Sequence, residues 1–185
     1  MAHRTTAEIE QALPEIRRSP TTDGRLALIV CRPAVDEREL LDEGELSLEH
    51  GLVGDTWQDR PSRRSPDGGP HPDMQLNVIN ARISHFLAHD DEARAALAGD
   101  QLHVDLDLSG ENLPPGTRLH IGDAAVIEIT DQPHTGCHKF SGRFGPEALR
   151  FVNSPVGREL NLRGVNAKVV APGPIRRDDP IRVER

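Results

Sequence analysis

Leu102–Leu108 (LHVDLDL) carries an apolar side chain at every second position, with His103, Asp105 and Asp107 between them. That is the period of a strand with one face on a core and the other toward water. The chain that follows repeats the pattern. Thr117–Ile121 and Ala124–Thr130 flank Gly122-Asp123 as a hairpin would, and Leu162–Val170 and Pro180–Val183 extend the series with Ala171–Pro174 (APGP) as separator. Upstream, Arg25–Cys31 (RLALIVC), Glu45–Glu49 and Met74–Ile79 also read as strands, while Glu37–Asp42 reads as a helical turn or a solvated loop. Helices are few and short: Ala7–Leu13 ended by Pro14, Ala81–Ala88 capped by Asn80, Asp91–Ala98 closed by Gly99, and EALRFV after Gly145-Pro146. Many short strands with few helices imply a mainly β fold, a closed or nearly closed barrel with short peripheral helices. Residues 1–24 read as a helical appendage and 25–185 as the barrel domain.

At 185 residues the chain fits one domain with a real core. A formal net charge of -8 argues against nucleic acid or an anionic membrane as the main partner. Arg143, Arg150, Arg158 and Arg163 still suggest a local basic patch. The first residues lack the apolar core of a secretory signal, and no window approaches the roughly 18 apolar residues of a membrane span. Two cysteines, Cys31 and Cys137, cannot build the disulfide framework of a small secreted domain, which points to the cytoplasm. Lysine occurs only at Lys139 and Lys168, and the chain has little room for the large domain that surrounds a Schiff-base lysine, so no pyridoxal phosphate site is expected.

The chemistry concentrates in Asp131–Lys139 (DQPHTGCHK). Pro133, Thr135 and Gly136 break regular structure, which puts Cys137, with His134 and His138 beside it, on a loop past a strand end. The charge of Lys139 would favour the thiolate, the form that attacks sulfur or carbon and binds soft metals. A small buried hydrophobe is the other reading of a lone cysteine, and for Cys31, inside an apolar run, it is the preferred one. The long Pro/Gly-rich stretch Gln58–Asp73 brings Arg60, Arg63 and Arg64, either an anion-binding flap or a solvated loop. His85 and His89 have the helical spacing that lets two imidazoles share a metal, but no glutamate of an HExxH motif lies between them and an exposed helix face is the preferred reading. The Rossmann and Walker glycine patterns are absent.

Taken in order, Gly51–Asp55 (GLVGD), Met74–Asn80 (MQLNVIN), Gly110–Leu113 (GENL), Gly116–Gly122 (GTRLHIG), Gly136–Lys139 (GCHK) and Gly164 through Pro174 resemble the MOSC domain. This is the C-terminal module of molybdenum-cofactor sulfurases, which also occurs as a stand-alone bacterial protein. The resemblance runs over residues 25–185 and implies a barrel in which Cys137 faces a cavity, accepting sulfur as a persulfide or binding the molybdenum of a pterin cofactor. It also implies Asp55, Glu111, Asn112, Lys139 and Arg143 as cofactor-binding residues, with arginines from 60–64 or 143–163 on the cofactor's phosphate. The activities that follow are molybdenum-dependent reduction of N-hydroxylated small molecules or sulfur transfer, with a redox partner or a cysteine desulfurase. Two alternatives stand beside it: a first-row metal such as zinc on His134, Cys137 and His138, and a sulfur-carrying adaptor without cofactor. Relatives often carry an arginine and a proline shortly before the cysteine, where this chain has His134 and Gly136. They also often have a His-Gly-Gly-Pro-Asp run, where this chain has Asp67–His71 (DGGPH).

Overall fold

A computed structural model describes residues 2–62 and 64–185. Its strands are β1 (Asp23–Cys31), β2 (Glu39–Leu41), β3 (Glu43–Ser47), β4 (Gly51–Leu52), β5 (Leu76–Asn80), β6 (Leu102–Asp105), β7 (Arg118–Ile121), β8 (Ala125–Ile129), β9 (Val165–Ala171), β10 (Gly173–Arg176) and β11 (Pro180–Val183). Its helices are α1 (Thr6–Ile16), α2 (Ala81–Ala88), α3 (Glu92–Ala95), α4 (His138–Phe144), α5 (Pro146–Val152) and α6 (Pro155–Glu159). The order β11-β7-β8-β9-β5-β6-β1 closes on itself through a β11–β1 pairing, giving a seven-stranded barrel. Among the described residues only β5 and β6 pair in parallel, because α2 and α3 form the crossover between them. β2 branches from β1, and β10-β3-β4 make a small second sheet.

β1 shows how the sequence serves two cores. Leu26, Ile29 and Cys31 belong to the cluster with the barrel's inner residues, whereas Leu28 and Val30 belong to a second cluster with the helices. Strict alternation would put Leu26 and Leu28 on one face. A bulge in the pairing with β6 between these two residues resets the parity and lets every residue from Leu26 to Cys31 be buried. The second core fills the space between barrel and helices with Ile9 and Ile16 of α1, Ile83 and Leu87 of α2, Phe140 and Phe144 of α4, and Phe151 of α5.

Several elements depart from the sequence reading for identifiable reasons. α1 continues through Pro14 to Ile16, because the proline ring is exposed and Ile16 is buried against the second core. Glu37–Asp42 supplies β2, which pairs Leu41 with Ile29 of β1. Gly173-Pro174 does not end the strands. It lies within β10, an edge strand, where a proline without an N–H is tolerated. β6 is not half solvated: α2 covers its outer face, so His103 is completely buried. Finally, Cys137 is followed at once by helix α4.

Candidate functional site

The site rests on two buried ion pairs that fasten loops to the barrel. Arg32, directly after β1, is 3% exposed and faces Asp55, whose carboxylate accepts from Arg32 Nε at 2.7 Å and Nη2 at 2.7 Å, and from the backbone N–H groups of Arg32 and Trp57. The remaining Nη1 donates to Asn77 Oδ1 and to the carbonyl of Gly99. Asp55 thus caps the turn Thr56–Asp59 and ties it to β1, β5 and the chain before β6.

The second pair holds the cysteine segment. Asp100 is completely buried and accepts two bonds from Arg163 Nη1, at 2.9 and 2.7 Å, and one contact from His134 Nε2 at 2.7 Å. Burial raises the carboxyl's pKa, but the charges of Arg163 and His134 outweigh it and hold Asp100 well below the usual carboxylate range. Burial, reinforced by Arg163, lowers the imidazole pKa of His134 against the opposing pull of Asp100. The guanidinium of Arg163 also stands 5.0 Å over the ring of Phe140. One ion pair therefore grips the segment three residues before Cys137 and three residues after it.

Beside the first anchor lies a cavity of about 190 Å³ lined by Arg32, Trp57, Arg60, Ser62, His71 and Asn77, together with Pro61 and Met74. Asn77 Nδ2 donates to Asn166 Oδ1 and Asn166 Nδ2 to the carbonyl of Gln132, so the cavity floor is linked to the cysteine segment. Arg64 Nη1 bonds the carbonyl of Pro133 from the opposite loop. Arg60 lines this cavity without a counter-ion. Its side-chain bond goes to Thr56 Oγ1, and among the described residues no carboxylate pairs with it. Burial, with the charge of Arg32 adding to it, pushes the Arg60 pKa down to about 10, still charged at neutral pH.

Of the residues singled out in the sequence, Cys137 is exposed, free, and at the N-cap position of α4, with His138 exposed beside it. Lys139 and Arg143 project from the same helix, but both pair with Asp36, so the lysine is not dedicated to the thiol. Asp55 is in the buried pair with Arg32. Glu111 is exposed, and Asn112 is used up by packing: its two amide hydrogens go to Thr21 and Asp107 carbonyls and its oxygen accepts from Arg185. None of Cys137, Lys139, Arg143, Asp55, Glu111 and Asn112 lines the cavity, so the expected placing of Cys137 on a cavity wall is not what the structure has: the thiol is on the exposed surface at the start of α4. Arg63 lies outside the described residues. The zinc grouping is not assembled, because His134 turns inward to Asp100 while Cys137 faces out; among the described residues no three His, Cys, Asp or Glu side chains are placed to hold a metal ion. His85 and His89 do not share a helix face either, since His89 leaves the helix in a left-handed conformation and bonds the Ala2 carbonyl. Arg32, Asp100 and Gln101 were missed by the sequence reading. The only signal was three polar residues set against buried apolar runs.

His103 provides an acid-sensitive element behind the site. Ser84 Oγ donates to the Ala81 carbonyl, so at 2.9 Å it accepts from His103 Nδ1–H, which leaves Nε2 a buried lone pair without a partner. Burial pushes the His103 pKa from 6.5 to about 4. A base whose pKa is lowered by folding stabilises fully above its unfolded value and loses that contribution as pH falls toward the folded one. Stability should therefore drop by roughly 3 kcal/mol from this group between pH 6.5 and 4. Denaturant titrations of His103→Leu across that window are expected to show a shallower pH slope; an unchanged slope would remove His103 from the account.

The closed seven-stranded barrel and its short covering helices are a MOSC-type fold. The chain is similar to the YuaD protein from Bacillus subtilis, with a TM-score of 0.65 and 12% identity over 87% of this chain and 95% of that one. It is also similar to YiiM from Escherichia coli (TM-score 0.55, 22% identity, 87% of this chain, 70% of that one) and YiiM from Geobacillus stearothermophilus (0.56, 13%, 88% and 75%). No family model and no curated protein sequence matches the chain.

Proposed function

We propose that the protein binds a molybdenum-pterin cofactor, with the Cys137 thiolate as a ligand to the metal and the Arg60 side of the cavity taking the cofactor's phosphate. The observation that carries this reading is the combination of an accessible free thiol with a guanidinium that lines a cavity and lacks a carboxylate of its own. The donor chemistry suits the group: thiolate is a soft ligand, and an unpaired arginine suits a phosphate. At about 190 Å³ the cavity has room for the phosphate-bearing end rather than a whole pterin. When bound, the metal would supply two-electron redox chemistry. The chain's own part is to fix the segment on either side of the thiol through Asp100 and Arg163 and to neutralise the anion through Arg60.

Metal analysis of protein purified from a molybdate-fed, pterin-competent host tests this. Wild type is expected to carry molybdenum, Cys137→Ala to lose most of it, and Arg60→Gln to retain a reduced share. Wild type without molybdenum, or with zinc near one per chain, would overturn the reading. The same thiol could instead carry sulfur without a cofactor, a reading favoured by its exposure. A gain on Cys137 of the mass of one sulfur atom, after incubation with a cysteine desulfurase and cysteine and without molybdenum, would mark that case.

A further inference from the structure

Residues 35–53 hold seven of the chain's 30 Asp and Glu residues but only one of its 22 Lys and Arg residues, Arg38. The same stretch holds every exposed large apolar side chain among the described residues: Val35, Leu40, Leu48 and Val53, from 40% to 80% exposed. Of its carboxylates, Glu37, Glu39, Asp42 and Glu45 are exposed and form no ion pair among the described residues. The fold brings the two kinds of side chain onto one surface. β2 is the free edge of the larger sheet and pairs with β1 alone. In that pairing Glu39 is opposite Cys31, and a Cβ added at Gly54 would lie 3.6 Å from Cys31 Sγ, so Val53 and Gly54 run beside β2. The N–H of Val53 in turn donates to the Glu45 carbonyl at 2.9 Å.

We propose that this surface docks a basic segment of a partner protein, with Lys or Arg side chains on the unpaired carboxylates and apolar side chains on Leu40 and Val53. Exposed apolar groups rimmed by charge mark an interaction surface, and here the sign of the rim selects the occupant. A second copy of this chain would set carboxylate against carboxylate, and an anionic membrane or a nucleic acid would be repelled in the same way. The free edge of β2 is also what an extended incoming segment can lie along. Val53 leads into Asp55 and the turn that carries Trp57 and Arg60, so a partner seated here abuts the outside of the cavity wall. Docking there needs no cofactor in the cavity and goes beyond that reading.

Fluorescence anisotropy of the purified full chain with three labelled peptides of equal length provides the test: one alternating lysine with leucine, one lysine with serine and one glutamate with leucine. At roughly 0.15 M salt only the lysine-leucine peptide should bind, and more weakly as salt rises. Glu39→Lys with Glu45→Lys should weaken it roughly tenfold, and Leu40→Ser with Val53→Ser roughly three- to tenfold. Glu10→Lys with Asp123→Lys makes the same change of net charge at exposed acids of α1 and of the turn after β7, and should leave binding unchanged. All the side chains replaced are exposed, so the variants should melt as wild type does. Failure of the lysine-leucine peptide to bind would overturn the proposal. So would equal binding of the lysine-serine peptide, or equal weakening by the Glu10 and Asp123 pair, since either would reduce the effect to overall charge. A free chain that sediments as a dimer, and as a monomer in Leu40→Ser with Val53→Ser, would give the surface to a second copy and overturn it as well.

Discussion

Asp55→Ala is expected to cost the protein about 3–5 kcal/mol, because it leaves the guanidinium of Arg32 buried without its counter-charge. Arg32 is 3% exposed and the Asp55 side chain is fully covered, so water cannot replace the lost partner. For a chain of this size that loss corresponds to roughly 10 °C in melting temperature. The turn that carries Trp57 and leads to Arg60 also loses its cap, so the cavity should loosen as stability falls. Removing both charges, in Arg32→Met with Asp55→Leu, should be milder than Asp55→Ala alone, since an apolar pair leaves no orphaned ion. Thermal melts of the two single variants and the double variant check this. A double variant at the sum of the singles would show that the two groups are not coupled.

Arg163→Gln has the second large effect, again about 3–5 kcal/mol, since it strands the completely buried Asp100. Its local signature separates it from Asp55→Ala. Arg163 reaches His134 through Asp100 and Phe140 through its ring contact, so its loss should raise amide hydrogen exchange across residues 134–140 more than in β7 or β8. The pH dependence of wild type follows from the sign of the Asp100 shift. A carboxyl whose pKa is depressed by folding stabilises above the ordinary carboxylate range, about pH 4, and loses that contribution as pH falls further. The acid limb below pH 4 should therefore be less steep in Arg163→Gln, while the His103 limb above pH 4 persists. Uniform exchange throughout the barrel would contradict a clamp centred on the cysteine segment.

The barrel was legible because its strands alternate and its turns carry Gly122, Asn80 and Gly99 where a hairpin, an N-cap and a left-handed C-cap require them. What was hidden depends on contacts distant in sequence. β10 looked like punctuation because Gly173 and Pro174 break most strands, but an edge strand presents N–H positions it does not need to pair. His103 looked solvated because alternation reports two faces and says nothing about a helix lying over the outer one. The same holds for the site. Cys137 was visible as a cysteine among turn residues, and Asp55 through its motif. Ala98–Gln101 was not: its carbonyls and side chains bind Arg32, Arg163, His134 and Asn77 from four other segments, at separations that no local pattern encodes. Lys139 shows the converse, a charge adjacent in sequence to the thiol that the fold pairs with Asp36.

The central claim is that Cys137 is the accessible thiol of a clamped segment, and native-state alkylation read by peptide mass spectrometry tests it most directly. Cys31 is an internal reference, since it is 4% exposed and burial pushes its thiol pKa up. The expected result is rapid modification at Cys137 and modification at Cys31 only after unfolding. A Cys137 that stays unmodified while the protein is folded would contradict the account.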